Sequence, residues 1–148
     1  NDAASAFTRL LDLGVEEFLL NAALVSIMAQ RLARKLCDHC SVPVSNSEEL
    51  FTEYNLAPVA KQLAVEKWTL MDAVGCDQCG HTGFKGRLAI IEYLRCDEHL
   101  RSIPKDDQFL SNAKNYNRSQ GGRDLVEDGL LKVFQGQTTI EEVYRVCG

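Results

Sequence analysis

The sequence predicts an α+β fold, mostly helical, on three observations. Apolar residues recur at helical spacing at both ends of the chain, one β-branched run stands out from residue 87 to 94, and two Cys-x2-Cys pairs lie between the helical ends. With 148 residues, 45% of them hydrophobic and 25% charged, the chain holds enough apolar surface for one domain, or one domain carrying a small subdomain.

The elements follow in order. Asp2 or Asn1 offers a side-chain oxygen to cap a first helix, with Ala3, Phe7, Leu10 and Leu11 on one face. Gly14 stands where that helix stops. Glu16 and Glu17 open a second helix, whose apolar stripe is Val15, Phe18, Leu19 and Ala22. The run from Ile27 to Leu36 favours helix by propensity, and only the resemblance described below assigns it to a strand. Residues 47–65 read as two helical pieces broken at Pro58, and Trp68 to Met71 as a short strand. Arg87 to Leu94 is the best strand in the chain, with the content of one covered on both faces. Asp97 caps a short helix ending before Pro104, and a weaker helix covers Gln108 to Tyr116. Val126, Leu130, Val133 and Phe134 make an amphipathic face ended by Gly136. Thr138 with Glu141, or Thr139 with Glu142, then offers a capping box ahead of Ile140, Val143 and Tyr144.

A formal net charge of −5 argues against a nucleic-acid binder. The longest apolar stretch, Phe18 to Ala29, is interrupted by Asn21 and Ser26 and is too short to span a bilayer. No signal-peptide pattern opens the chain, so the expectation is a soluble, cytosolic protein. The first residue is Asn1 rather than Met, which suggests a fragment whose missing part carries the chemistry.

In a reducing compartment six cysteines point to metal or redox chemistry rather than to disulfides. Cys37-Asp38-His39-Cys40 and Cys76-Asp77-Gln78-Cys79 are two knuckles separated by 35 residues. Two residues between cysteines let both sulfurs of a tight turn face one ion, and two knuckles complete a tetrahedral Zn2+ site. Gly75, Gly80, Gly83 and Gly86 flank the second knuckle where turns need room. Four thiolates leave no open position, so such a zinc is structural. Its binding, worth roughly 10–16 kcal/mol at neutral pH, exceeds the stability of many small domains. His39 and His81 stand beside the knuckles, but the four cysteines already fill the tetrahedron. Cys96 and Cys147 read as small buried residues or free thiols, and His99 as exposed. Arg31, Arg34 and Lys35 form a basic run, read as a solvated face in preference to a phosphate or acidic-partner site.

No other catalytic motif emerges: there is no Gly-x4-Gly-Lys-Ser/Thr loop, Gly-x-Ser-x-Gly elbow or His-Glu-x-x-His. A thiol oxidoreductase expects a thioredoxin-like βαβ pattern, which is missing. A stand-alone zinc-ribbon adaptor for a protein or nucleic acid is the alternative, supported by the generic use of such modules and by the basic run.

A wider pattern surrounds the knuckles. Ala29-Gln30-Arg31-Leu32 runs into Cys37. Val74-Gly75-Cys76 runs through Cys79-Gly80-His81-Thr82-Gly83-Phe84-Lys85-Gly86-Arg87 to Ile91-Glu92. Asp128 to Val133 and Thr138 to Val146 close the chain, and Asn1 to Val15 opens it. Together these resemble the C-terminal region of the type II secretion and type IV pilus assembly ATPases. The Gly-His-Thr-Gly-Phe stretch and closing helices favour the secretion branch, with the pilus branch open.

The resemblance implies the C-terminal part of a RecA-like P-loop ATPase domain. Residues 1–36 would end an ATPase core segment, 37–86 would be a tetracysteine zinc-binding module, and 87–148 a strand followed by a helical subdomain. It gives zinc to Cys37, Cys40, Cys76 and Cys79, and nothing catalytic and no cofactor-binding residue, since ATP and Mg2+ would be held by parts upstream of Asn1. It also implies a cytoplasmic homohexamer, peripheral at the bacterial inner membrane and working against platform proteins there, with this chain alone lacking nucleotide hydrolysis.

Overall fold

The computed structural model describes residues 2–148 and is a mixture of helices and short sheets. Strands β1 (Ser26–Leu36) and β4 (Phe84–Arg95) form one two-stranded sheet, and β2 (Val42–Pro43) and β3 (Met71–Asp72) form another. The chain divides into two compact units, each made of two separated stretches of sequence.

The first unit comprises residues 1–30 and 91–125. It holds α1 (Ala3–Asp12), α2 (Glu17–Ala23), α5 (Glu98–Ser102) and α6 (Phe109–Ser119), with the adjoining parts of β1 and β4. The Asp2 carboxylate caps α1 by accepting the Ser5 N–H at 2.8 Å, and Lys114 Nζ lies 2.6 Å from it. Asn1, the alternative cap, lies outside the described residues. The Ala3 N–H donates to the buried carboxylate of Glu92. Phe7 and Phe109 meet at a ring-centroid distance of 5.3 Å in a core with Ala4, Leu94, Leu100 and Ile103. Lys105 closes that core: its side chain is only 5% exposed, and its ammonium lies 5.3 Å and 5.2 Å from the Phe7 and Phe109 ring centres. That ammonium also donates to the carbonyls of Arg101 and Ile103.

Two expectations fail in this unit. Leu20 and Leu24, one helical turn apart, pack on the core, which leaves Phe18 and Leu19 of the expected stripe exposed. Along β4, Ile90, Glu92 and Leu94 are buried while Ile91 and Tyr93 are exposed. Burial with a period of two means that one face is covered, not both. The run of apolar residues conceals this, because the inward set includes a glutamate and the outward set an isoleucine.

The second unit comprises residues 31–90 and 126–148. It contains the β2–β3 ribbon, α3 (Ser47–Glu53), α4 (Ala57–Gln62), most of α7 (Leu125–Phe134) and α8 (Ile140–Cys147), with the remaining parts of β1 and β4. The ribbon is antiparallel, Val42 opposite Asp72 and Pro43 opposite Met71. Pro58 does not break the helical stretch; it sits in the first turn of α4, where its missing N–H is not needed. The break falls at Tyr54 to Leu56, where Asn55 takes a left-handed conformation with φ 51°. Trp68 lies outside β3. Its indole stacks on Phe51, whose ring also tilts against Phe134 at 6.4 Å. Thr139 caps α8 by accepting the Glu142 N–H at 3.2 Å, but the Glu142 carboxylate turns elsewhere, so only half of the capping box forms.

Candidate metal centre

The first knuckle follows directly from β1. Leu36 and Cys37 are buried at the strand's end, and the Cys37 carbonyl accepts the Ser41 N–H at 3.1 Å to close the turn. The second knuckle is a 3₁₀ turn, Asp77–Cys79, in which the Cys76 carbonyl accepts N–H groups from Cys79 and His81. Gly83 joins the knuckles. Its carbonyl accepts the Cys37 N–H at 2.9 Å, and its N–H donates to Cys79 Sγ at 3.2 Å. Its φ is +82°, and a Cβ there would stand 2.6 Å from the Ala73 Cβ. Only glycine fits that junction.

The four Sγ atoms of Cys37, Cys40, Cys76 and Cys79 lie within 4.8 Å of one another. Cys37 to Cys76 is 3.8 Å, Cys40 to Cys79 is 3.9 Å and Cys76 to Cys79 is 3.8 Å. A disulfide requires about 2.0 Å, so these are thiols. A tetrahedron with metal–sulfur bonds of about 2.3 Å has sulfur–sulfur edges of about 3.8 Å. The donor set, its spacing and its closure thus all fit zinc.

Main-chain donors favour the thiolate form at two of the sulfurs. Gly75 N–H points at Cys40 Sγ at 3.3 Å, and the N–H groups of Cys76 and Gly83 point at Cys79 Sγ. Burial pushes the Cys79 thiol up, but those two N–H groups and the neighbouring thiols of Cys76 and Cys40 outweigh it and hold it at about 6. At Cys40 the Gly75 N–H pulls down, while burial and the other three thiols raise it to about 11. Packed thiols cannot all ionise together without a cation.

The side chains of the remaining candidates lie outside the four-sulfur set. His81 pairs with Asp77 at 3.0 Å, with both side chains exposed. His99 stacks on Tyr116 at a centroid distance of 4.2 Å. Cys96 is a buried core residue and Cys147 is half-buried on α8. Arg34 and Lys35 of the basic run are nearly half open to solvent, as expected of a solvated face, but they also make specific contacts. The Arg34 guanidinium packs 4.1 Å above the Phe84 ring and binds the buried Glu142 carboxylate, while Lys35 reaches Asp38 at 3.6 Å. The Arg34–Glu142 pair is not legible in the sequence, because the partners are 108 residues apart and Glu142 has a local role as a capping candidate.

Comparison with known proteins decides the family. Residues 1–145 match the family described as type II/IV secretion system protein. The chain belongs to that family. Over 143 residues it is 42% identical to the type IV pilus assembly ATPase PilB of Thermus thermophilus, covering 97% of this chain and 16% of that protein. It is 37% identical to the type IV pilus assembly ATPase TfpB of Acinetobacter baylyi, covering 99% of this chain and 24% of the relative. To the type II secretion system protein E of Pseudomonas aeruginosa it is 36% identical, with 99% and 28% covered. This member of the type II/IV secretion family therefore spans less than a third of the length of each of these relatives, and pilus and secretion proteins both stand among them.

Proposed function

We propose that this chain is a zinc-bearing portion, from the C-terminal end, of a cytoplasmic hexameric P-loop ATPase that powers type II protein secretion or type IV pilus assembly at the inner membrane. Family membership and the relatives' names support the ATPase setting. The observation that carries the zinc reading is the set of sulfur–sulfur spacings near 3.8 Å among Cys37, Cys40, Cys76 and Cys79. Zinc, when bound, supplies a redox-inert crosslink with no position open to water or substrate.

This chain's residues hold and orient that crosslink. Gly83 ties the knuckles through both of its main-chain groups, and Gly75 steadies Cys40. The chain has no phosphate-cradling loop of its own, so ATP and Mg2+ belong to the remainder of a RecA-like domain. No described helix is long and apolar enough to cross a membrane, consistent with a peripheral role against membrane platform proteins.

Atomic emission on the purified chain tests the metal assignment, with one zinc per chain expected. Calorimetric titration with ATP tests the division of labour: no binding is expected, and micromolar affinity for this chain alone overturns it.

A further inference from the structure

The end of β1 is held from two sides. On one side is the start of α8. Glu142 accepts the Arg34 main-chain N–H at 3.0 Å and the Arg34 guanidinium at 2.9–3.2 Å, and it also takes Arg145 Nε at 3.1 Å. The Thr138 hydroxyl donates to the Arg34 carbonyl at 2.8 Å, and the Leu36 N–H donates to the Gln137 carbonyl at 2.9 Å. Arg34 thus commits both main-chain groups and its side chain to residues 138–142. On the other side is the cysteine cluster. Cys37, the residue after Leu36, is a candidate ligand, and its N–H is fixed by Gly83, which in turn donates to Cys79 Sγ.

We infer that metal binding at the four cysteines and the seating of α8 are thermodynamically linked, with Glu142 as a positioning residue for the Cys37 knuckle. This rests on the zinc reading above and goes beyond it. The Arg34 side chain is half-exposed, but the groups around it leave little slack. Ala33, Cys37, Thr138 and Val143 are completely buried, and Glu142 is only 2% exposed. A buried carboxylate that loses its cations is costly, so β1 and α8 shift together or stay together. The Cys37 Sγ position is therefore set partly by α8, and by reciprocity a cation that fixes Cys37 stabilises α8 docking. A contiguous hydrogen-bonded path is the physical route for such coupling, and measured linkage is its proof.

The test compares the full chain loaded with zinc and stripped by a chelator, using hydrogen exchange read by mass spectrometry. Stripping is expected to raise exchange across α8 at least about tenfold while α6 changes less than about twofold. In competition with a chelating dye, Glu142→Gln is expected to raise the zinc Kd about tenfold, and Thr138→Val to move it the same way. Should Glu142→Gln fail to fold, the wild-type exchange comparison and Thr138→Val decide. Unchanged α8 protection on stripping, or an unchanged zinc Kd in the folded variants, overturns the linkage while stoichiometric zinc leaves the metal site standing. An equal rise in α6 means wholesale unfolding and also overturns it. Absence of bound zinc overturns both readings.

Discussion

Phe51 and Trp68 lie face to face, their ring centroids 4.5 Å apart and their planes within 5° of parallel. Both residues lie in the stretch between the knuckles. Phe51→Ala should expose the indole and cost about 2 kcal/mol, the combined loss of burial and ring contact. Trp68 is the chain's single tryptophan. A red-shifted emission maximum together with a lower urea midpoint is the expected result, and unshifted fluorescence would count against the stack.

Glu142 predicts an acid limb. The Arg145 guanidinium, working against burial and helped by Arg34, holds its carboxyl at about 2. The folded value lies below the ordinary value of about 4.3, so the stabilisation is present above that value and is lost as pH falls toward 2. Its size is on the order of 2–3 kcal/mol. Glu142→Gln should flatten stability against pH between about pH 5 and 2, measured by urea midpoints across that window.

Glu92 behaves oppositely. Burial pushes its carboxyl up, with the Ala3 N–H pulling back and Asp2 pushing further up. A raised carboxylate favours the folded state in its protonated form, so its contribution declines as pH rises through and above the ordinary value. Glu92→Gln keeps an acceptor for Ala3 and should match or exceed the wild type at pH 7 by up to about 1 kcal/mol. Glu92→Ala removes the acceptor and should cost about 2 kcal/mol. Paired thermal and urea melts distinguish the two.

The glycines around the second knuckle are not equivalent. At Gly83 a Cβ would meet Ala73 Cβ at 2.6 Å and Ala73 Cα at 3.1 Å, whereas at Gly80, φ +63°, nothing lies within 4 Å. Gly80→Ala should cost about 1 kcal/mol, from its left-handed backbone alone. Gly83→Ala adds a collision with backbone and should cost at least about 3 kcal/mol, with loss of metal. Equal costs would refute the packing argument.

Cys76→Ser removes one of the four sulfurs. Zinc content should drop below one per chain, and limited proteolysis should cut between residues 37 and 79 where the wild type resists. Full metal occupancy in the variant would show that Cys76 is not a ligand.

Much of this was legible in the primary structure because the signals were local. Asp2, Asp97 and Thr139 cap helices where their side-chain oxygens indicated. The four knuckle cysteines converge as their spacing required. Long-range chemistry was not legible. Glu92 hides in an apolar run, and its partner Ala3 is 89 residues away. Arg34 is half-exposed, as its basic run indicates, but its contacts with Glu142 and Phe84 lie beyond any local pattern. Pro58 reads as a breaker because helix interiors exclude proline, although a first turn accepts it. The strand β1 contradicts its own helical propensity. It pairs with β4, and tertiary pairing overrides a weak local preference.

The hydrogen bonds from Arg34 to Thr138 and Glu142 join positions 104 and 108 residues apart. During synthesis at about 5–20 residues per second, that strand end leaves the ribosome about 5–20 s before its anchors exist. Until then its polar groups have only water, the cysteine turns or a chaperone to satisfy them. A cation captured early would let the nascent module hold its register while α8 is still being made.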